Sequence, residues 1–117
     1  MHTHTAACLS EGVSLFNEGH FFEAHEAWEE AWRREAGARR QLLQGLILVA
    51  AGWLKRDAGI ARGAHTLFSR ALARLEALPP VCEGVDVARL RTQLAGWLVG
   101  QAGERPRLVF AAPDASP

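Results

Sequence analysis

The sequence predicts an all-α protein: a single compact array of about five helices, arranged as antiparallel hairpins. Three observations lead there. Apolar residues recur at spacings of three and four, with no sustained alternation of the kind a half-buried strand shows. Ala, Leu, Glu and Arg, all good helix formers, dominate, while Tyr is absent. Gly19, Gly37, Gly59 and Pro79-Pro80 punctuate the chain at intervals that suit helices. A length of 117 residues makes one domain the expectation.

Taken in order, residues 1–5 are expected to be a disordered start, residues 6–103 the helical domain and residues 104–117 a C-terminal tail. The first helix is predicted from about Ala6 to Glu18, with Leu9, Val13 and Phe16 on its apolar face and Gly19 as its stop. The second runs from about Phe21 to Glu35. The third, from about Arg39 to Arg56, carries Leu42, Leu43, Leu46, Ile47, Val49, Ala50, Trp53 and Leu54 round most of its circumference, which marks the central helix. Gly45 and Gly52 inside it each cost about 1 kcal/mol of helix propensity, a loss that close approach by a neighbouring helix would offset. The fourth runs from about Ile60 to Leu78, with Ala64, Phe68, Ala71, Leu72 and Leu75 on one face, and Pro79-Pro80 ends it. Asp86 is the predicted N-cap of a fifth helix, Val87 to about Val99. In the tail, Leu108-Val109-Phe110 is an apolar patch suited to pack as a strap.

Basic and acidic residues balance at 13 each, so the net charge gives no footprint for nucleic acid. The longest charge-free stretch, Gln41–Leu54, is too short to span a bilayer, and no apolar run follows a basic start at the N-terminus. A cytoplasmic protein without a membrane or nucleic-acid partner is expected. Cys8 and Cys82 have neither metal nor redox spacing.

The second helix holds the candidate site. On a helical wheel at about 100° per residue, Trp32, Phe21 and Trp28 fall roughly 20°, 40° and 60° to one side of His25, and Glu29 about 40° to the other. That places an imidazole and a carboxylate inside an apolar stripe, predicted to turn inward. Such a pair is costly unless partnered, protonated or metal-bound. Three readings follow. The pair is a structural contact, with Glu29 accepting from His25 or from an arginine such as Arg39, Arg62 or Arg70. Alternatively, His25, Glu29, Gln44 and His65 line a small-molecule pocket walled by Trp28 and Trp32. The third reading makes His25 and Glu29, four residues apart, two ligands of one divalent metal ion, with others from His65, His20 or another carboxylate. The motif is neither His-Glu-x2-His nor Glu-x2-His. No activated nucleophile is evident, so catalysis stays an open question.

An internal repeat is visible at an offset of 40: Gly19, Ala24, His25, Trp28 and Ala31 align with Gly59, Ala64, His65, Phe68 and Ala71. Two helical hairpins related by this repeat, followed by a terminal helix, are therefore expected. The segment Gly19–Ala31 is also similar to the second half of a tetratricopeptide unit, but its first half and its 34-residue period are missing.

Phe16-Asn17-x-Gly19-x-Phe21-Phe22-Glu23-Ala24-His25-Glu26, then Trp28-Glu29-x2-Trp32, Gln44-Gly45-Leu46-Ile47 and Gly63-Ala64 resemble, in this order, the domain of unknown function 309 family. The resemblance covers about Leu15 to Leu72. It implies a small all-helical prokaryotic protein without an established activity, in which His25, Glu29 and Trp32 matter and metal binding is suggested for them. This chain departs from the pattern at Leu48, where a Gln is usual. Trp53-Leu54-Lys55 stands where a His is usual, and Gly59-Ile60 replaces the usual Gly-Asn.

The function expected is a non-enzymatic binding or scaffold module with a buried His25/Glu29 pair, whose partner is a small-molecule ligand or a protein. The alternative is a metal-binding protein or metal-dependent enzyme using the same two residues.

Overall fold

A computed structural model describes residues 3–100 and 107–110. The described residues form five helices and one small hairpin: α1 (Thr3–Asn17), α2 (Phe21–Trp32), α3 (Gly37–Asp57), α4 (Ala61–Glu76), β1 (Val81–Cys82), β2 (Val85–Asp86) and α5 (Val87–Leu98). The all-α architecture is therefore as expected. Successive helices pack on one another, and α3 lies between α2 and α4 with Leu42, Leu43, Leu46, Val49 and Ala50 buried. No described helix is long and apolar enough to cross a membrane.

The internal repeat is a structural one. Both hairpins, α1–α2 and α3–α4, turn through a glycine of positive φ, Gly19 at 87° and Gly59 at 80°, a conformation that costs other residues a Cβ clash. The same pair of hydrogen bonds closes each turn. The Gly19 and His20 amides donate to the carbonyls of Phe16 (2.9 Å) and Leu15 (2.8 Å). The Gly59 and Ile60 amides donate to Arg56 (3.0 Å) and Lys55 (2.8 Å). This is the Schellman pattern, which satisfies the last free carbonyls of each helix.

The hairpins also share a notch. A Cβ on Gly12 would lie 2.1 Å from the Trp28 indole nitrogen, and a Cβ on Gly52 would lie 2.4 Å from the Phe68 ring. In each hairpin, then, the large aromatic of the second helix fills the space a side chain on the first would occupy. Trp28 is fully buried and its Nε1–H donates to the Leu9 carbonyl at 3.3 Å. Two turns further along, Gly45 receives Leu75, whose Cδ2 would be 2.6 Å from an added Cβ. These close approaches offset the poor helix propensity of Gly45 and Gly52.

The equivalent of Gly45 and Leu75 in the first hairpin is polar: the Thr5 hydroxyl, buried, donates to Glu35 Oε2 at 2.6 Å. This contact spans 30 residues of sequence and ties the described start of α1 to the chain just after α2. Residues 3–5, expected as part of a disordered start, lie in α1. Residues 1–2, 101–106 and 111–117 lie outside the described residues, and with them most of the expected tail.

The hairpin β1–β2 was not expected from the sequence. Its turn residues Glu83 (φ 50°) and Gly84 (φ 80°) are both left-handed, as a two-residue turn between antiparallel strands requires. Strands of two residues are too short to show alternation. Asp86 then caps α5 as predicted, its Oδ1 accepting from the Arg89 amide at 3.0 Å. The strap Leu108–Phe110 packs back: Phe110 bridges to Val85, and the Asp86 amide donates to the Val109 carbonyl at 2.9 Å. Asn17 clamps it from α1, accepting from the Leu108 amide (2.7 Å) and donating to its carbonyl (2.9 Å).

Gly52→Ala should lower stability by about 1–3 kcal/mol, because displacing the Phe68 ring outweighs the gain in helix propensity. Urea unfolding monitored by circular dichroism measures it. A variant as stable as the wild type would mean that Phe68 is not confined to the notch.

Candidate functional site

The notch at Gly12 sets the rotation of α2. With Trp28 driven inward, the buried residues of the helix are Phe21, Ala24, Trp28 and Ala31. At about 100° per residue, their mean direction lies close to Trp28. From Trp28, His25 falls about 60° round, Glu29 about 100° and Phe22 about 120°, all on the same side. Exposure rises in that order: 25% for the His25 side chain, 37% for Glu29 and 55% for Phe22. His25 and Glu29 thus sit on the rim of the apolar stripe. The expectation of a buried pair is corrected, because the stripe centres on Trp28 and not on His25.

The two side chains do meet. His25 Nδ1 lies 2.9 Å from Glu29 Oε1. The carboxylate takes the Nδ1 side of the ring, and Nε2 has no partner among the described residues. His25 borders a groove of about 310 Å³ with Phe22, Ala51, Leu54, Lys55, Ala58 and Ile60. The groove is mainly apolar. Phe22 and Ile60, at 55% and 47% exposure, are two of the large apolar residues left open to solvent. Lys55 supplies the charge at its edge. Sequence reasoning missed Phe22, Leu54, Lys55 and Ile60. A signal for Phe22 was present, since it falls beyond Glu29 on the helical wheel, outside the buried arc.

The other predicted site residues separate. Trp28 is core, held by Gly12 and the Leu9 carbonyl, and does not line the groove at His25. Trp32 and Gln44 share a different pocket, with Gly37, Arg40, Gln41 and Arg74. His65 is exposed on α4 and borders a third pocket, walled by Phe68 and Trp97 with Arg56 at its mouth. The repeat explains this: His65 is the equivalent of His25 one hairpin later, so it faces the next inter-helix groove and not the same one. None of the arginines suggested for Glu29 reaches it; Arg39 instead bonds Glu83 at 2.9 Å, with Glu35 at 4.0 Å.

As a metal centre the pair is incomplete. Among the described residues no group of three His, Cys, Asp or Glu side chains converges on one point. His20 pairs with Glu23 at 3.7 Å, on the exposed start of α2. Two donors do not make up the set a divalent ion needs, and the described residues supply no third beside them. Cys8 is no better as a nucleophile, although His4 Nε2 lies 3.6 Å from its sulfur. Burial, then the charges of Glu30 and Glu11, push its thiol up and keep it protonated at neutral pH.

These features define a class: an all-α protein of duplicated helical hairpins, each turned by a glycine and locked by an aromatic in a glycine notch. More particularly, residues 9–67 match the model of the family described as Domain of unknown function (DUF309), and the chain belongs to that family. The matched span runs from α1 to the middle of α4, so it contains the notch, the His25–Glu29 pair and both hairpin turns. No curated protein matches the chain.

Because the pair is a rim contact, Glu29→Gln should cost less than about 1 kcal/mol of stability. A chemical-denaturation difference above about 2 kcal/mol would mean that Glu29 is held in a drier setting than its exposure indicates.

Proposed function

We propose that the protein is a non-enzymatic binding module, acting in a prokaryotic cytoplasm, whose seat is the groove beside His25. The ligand is a small amphipathic molecule. Its apolar body lies against Phe22, Leu54 and Ile60, and its polar head meets His25 Nε2 and the Lys55 ammonium. One observation carries the reading. An imidazole held by its Nδ1 side on Glu29, 2.9 Å away, borders an apolar groove of about 310 Å³, and its Nε2 has no partner among the described residues. Small-molecule sites combine apolar walls with a few placed polar groups in this way. The volume is at the lower end of the range for such sites, about 300–1,000 Å³, which favours a ligand of few atoms. Exposed Phe22 and Ile60 would gain by being covered. The metal-dependent alternative draws on the same His25 and Glu29 and lacks a third donor among the described residues.

Anilinonaphthalene sulfonate, with an apolar body and an anionic head, is a suitable probe. It should bind with one-to-one stoichiometry, and Phe22→Ala and His25→Ala should each weaken it by about tenfold, roughly 1.4 kcal/mol. Unchanged binding in both variants would place the probe elsewhere and remove the support for this groove. Elemental analysis of untagged protein tests the alternative: a stoichiometric metal that is lost in His25→Ala would replace the binding-module reading.

A further inference from the structure

We propose a second site, separate from the His25 groove, that binds the phosphate group of a small molecule between Trp32, Arg40, Gln41, Gln44 and Arg74. These residues, with Gly37, line a pocket of about 480 Å³ where the end of α2, the start of α3 and the last turns of α4 meet. Among the described residues no carboxylate lines it. Arg39, next in sequence to Arg40, is neutralised by Glu83 and Glu35. Arg40 and Arg74 form no ion pair among the described residues. A single uncompensated arginine on a surface is ordinary; two that border one hollow give it a local positive charge that favours an anion there.

Both guanidinium groups are also held in place. Arg40 Cζ sits 3.9 Å from the centroid of the Trp32 ring, and its Nη1 approaches the Glu35 carbonyl at 3.4 Å. Arg74 Nη1 donates to Gln41 Oε1 at 3.1 Å. A guanidinium has five N–H donors in a planar fork, so these contacts leave most of them for a ligand. The Gln41 side-chain NH2 and the Gln44 amide add neutral donors. The first turn of α3 borders the pocket at Gly37, has no side-chain cap and contains no acid, so its dipole adds to the same preference. A phosphate group fits this set because its oxygens accept two parallel bonds from each arginine. The chain's net charge is zero, so any anion affinity is local to the pocket.

Inorganic pyrophosphate is the probe, titrated calorimetrically into the full chain at constant ionic strength. Saturable one-to-one binding is expected. Arg40→Gln and Arg74→Gln should each weaken it by about tenfold or more, as loss of a charge-assisted bidentate contact does. Both side chains are exposed, so both variants should fold, as circular dichroism would show. His25→Ala should bind pyrophosphate like the wild type, which separates this site from the groove proposed above. Citrate should bind at least about tenfold more weakly. Absence of saturable binding, or wild-type affinity in both arginine variants, would overturn the site. Equal loss in His25→Ala would overturn its independence. Citrate binding as tightly as pyrophosphate would overturn the phosphate assignment, and tighter binding of a phosphoserine peptide would overturn the small-molecule one.

Discussion

The insertion of an aromatic side chain into a glycine notch is the contact on which the rest of this structure depends. Trp28 enters at Gly12 and Phe68 at Gly52, in equivalent places of the two hairpins. A glycine lets the helix axes approach closely enough for a ring to lie against bare backbone, and dispersion forces over that ring then hold the pair. Nothing larger fits, so the notch fixes both the separation of the two helices and the rotation of the second one. Trp53, in contact with Phe21, Phe68 and Trp97, carries the aromatic packing from the second notch toward α5 and back to α2.

That rotation decides what each hairpin shows to its surroundings. In the first, it brings His25, Glu29 and Phe22 round to the groove over α3. In the second, the same rotation turns His65 toward α5, beside Trp97. The duplication therefore yields two histidines in two grooves, with different neighbours: Glu29 and Lys55 accompany the first, Arg56 and Phe68 the second. A histidine repeated at an offset of 40 residues looks in the sequence like a candidate for one shared site. Repetition along a helical array instead carries the residue one groove further on.

Much of the fold was legible from the sequence. Helix existence and order followed from apolar periodicity, and the stops at Gly19, Gly59 and Pro79-Pro80 from backbone chemistry that acts within a few residues. The Asp86 cap and the Leu108–Phe110 strap were local signals of the same kind. Long-range contacts were not legible. Thr5 meets Glu35 across 30 residues, and the hairpin after Pro80 depends on a left-handed Glu83-Gly84 pair supported by the strap. The site was half legible. The His25–Glu29 contact follows from a spacing of four. Its place at the rim does not, because a helical wheel shows the width of an apolar stripe, whereas its centre was set by a glycine on another helix. The glycine signal was available, since Gly12 and Gly52 are themselves 40 residues apart.

The Asn17 clamp couples positions 91 residues apart, from the end of the first helix to the strap after the last. On a ribosome, where polypeptides grow from the amino end and fold as they emerge, both hairpins leave before Leu108 does. Until then the Asn17 amide must find water as its partner, and the nascent molecule lacks this tether. Closure of the clamp therefore comes after both hairpins have been made, and a chain cut before Leu108 would leave that end of the first helix unfastened.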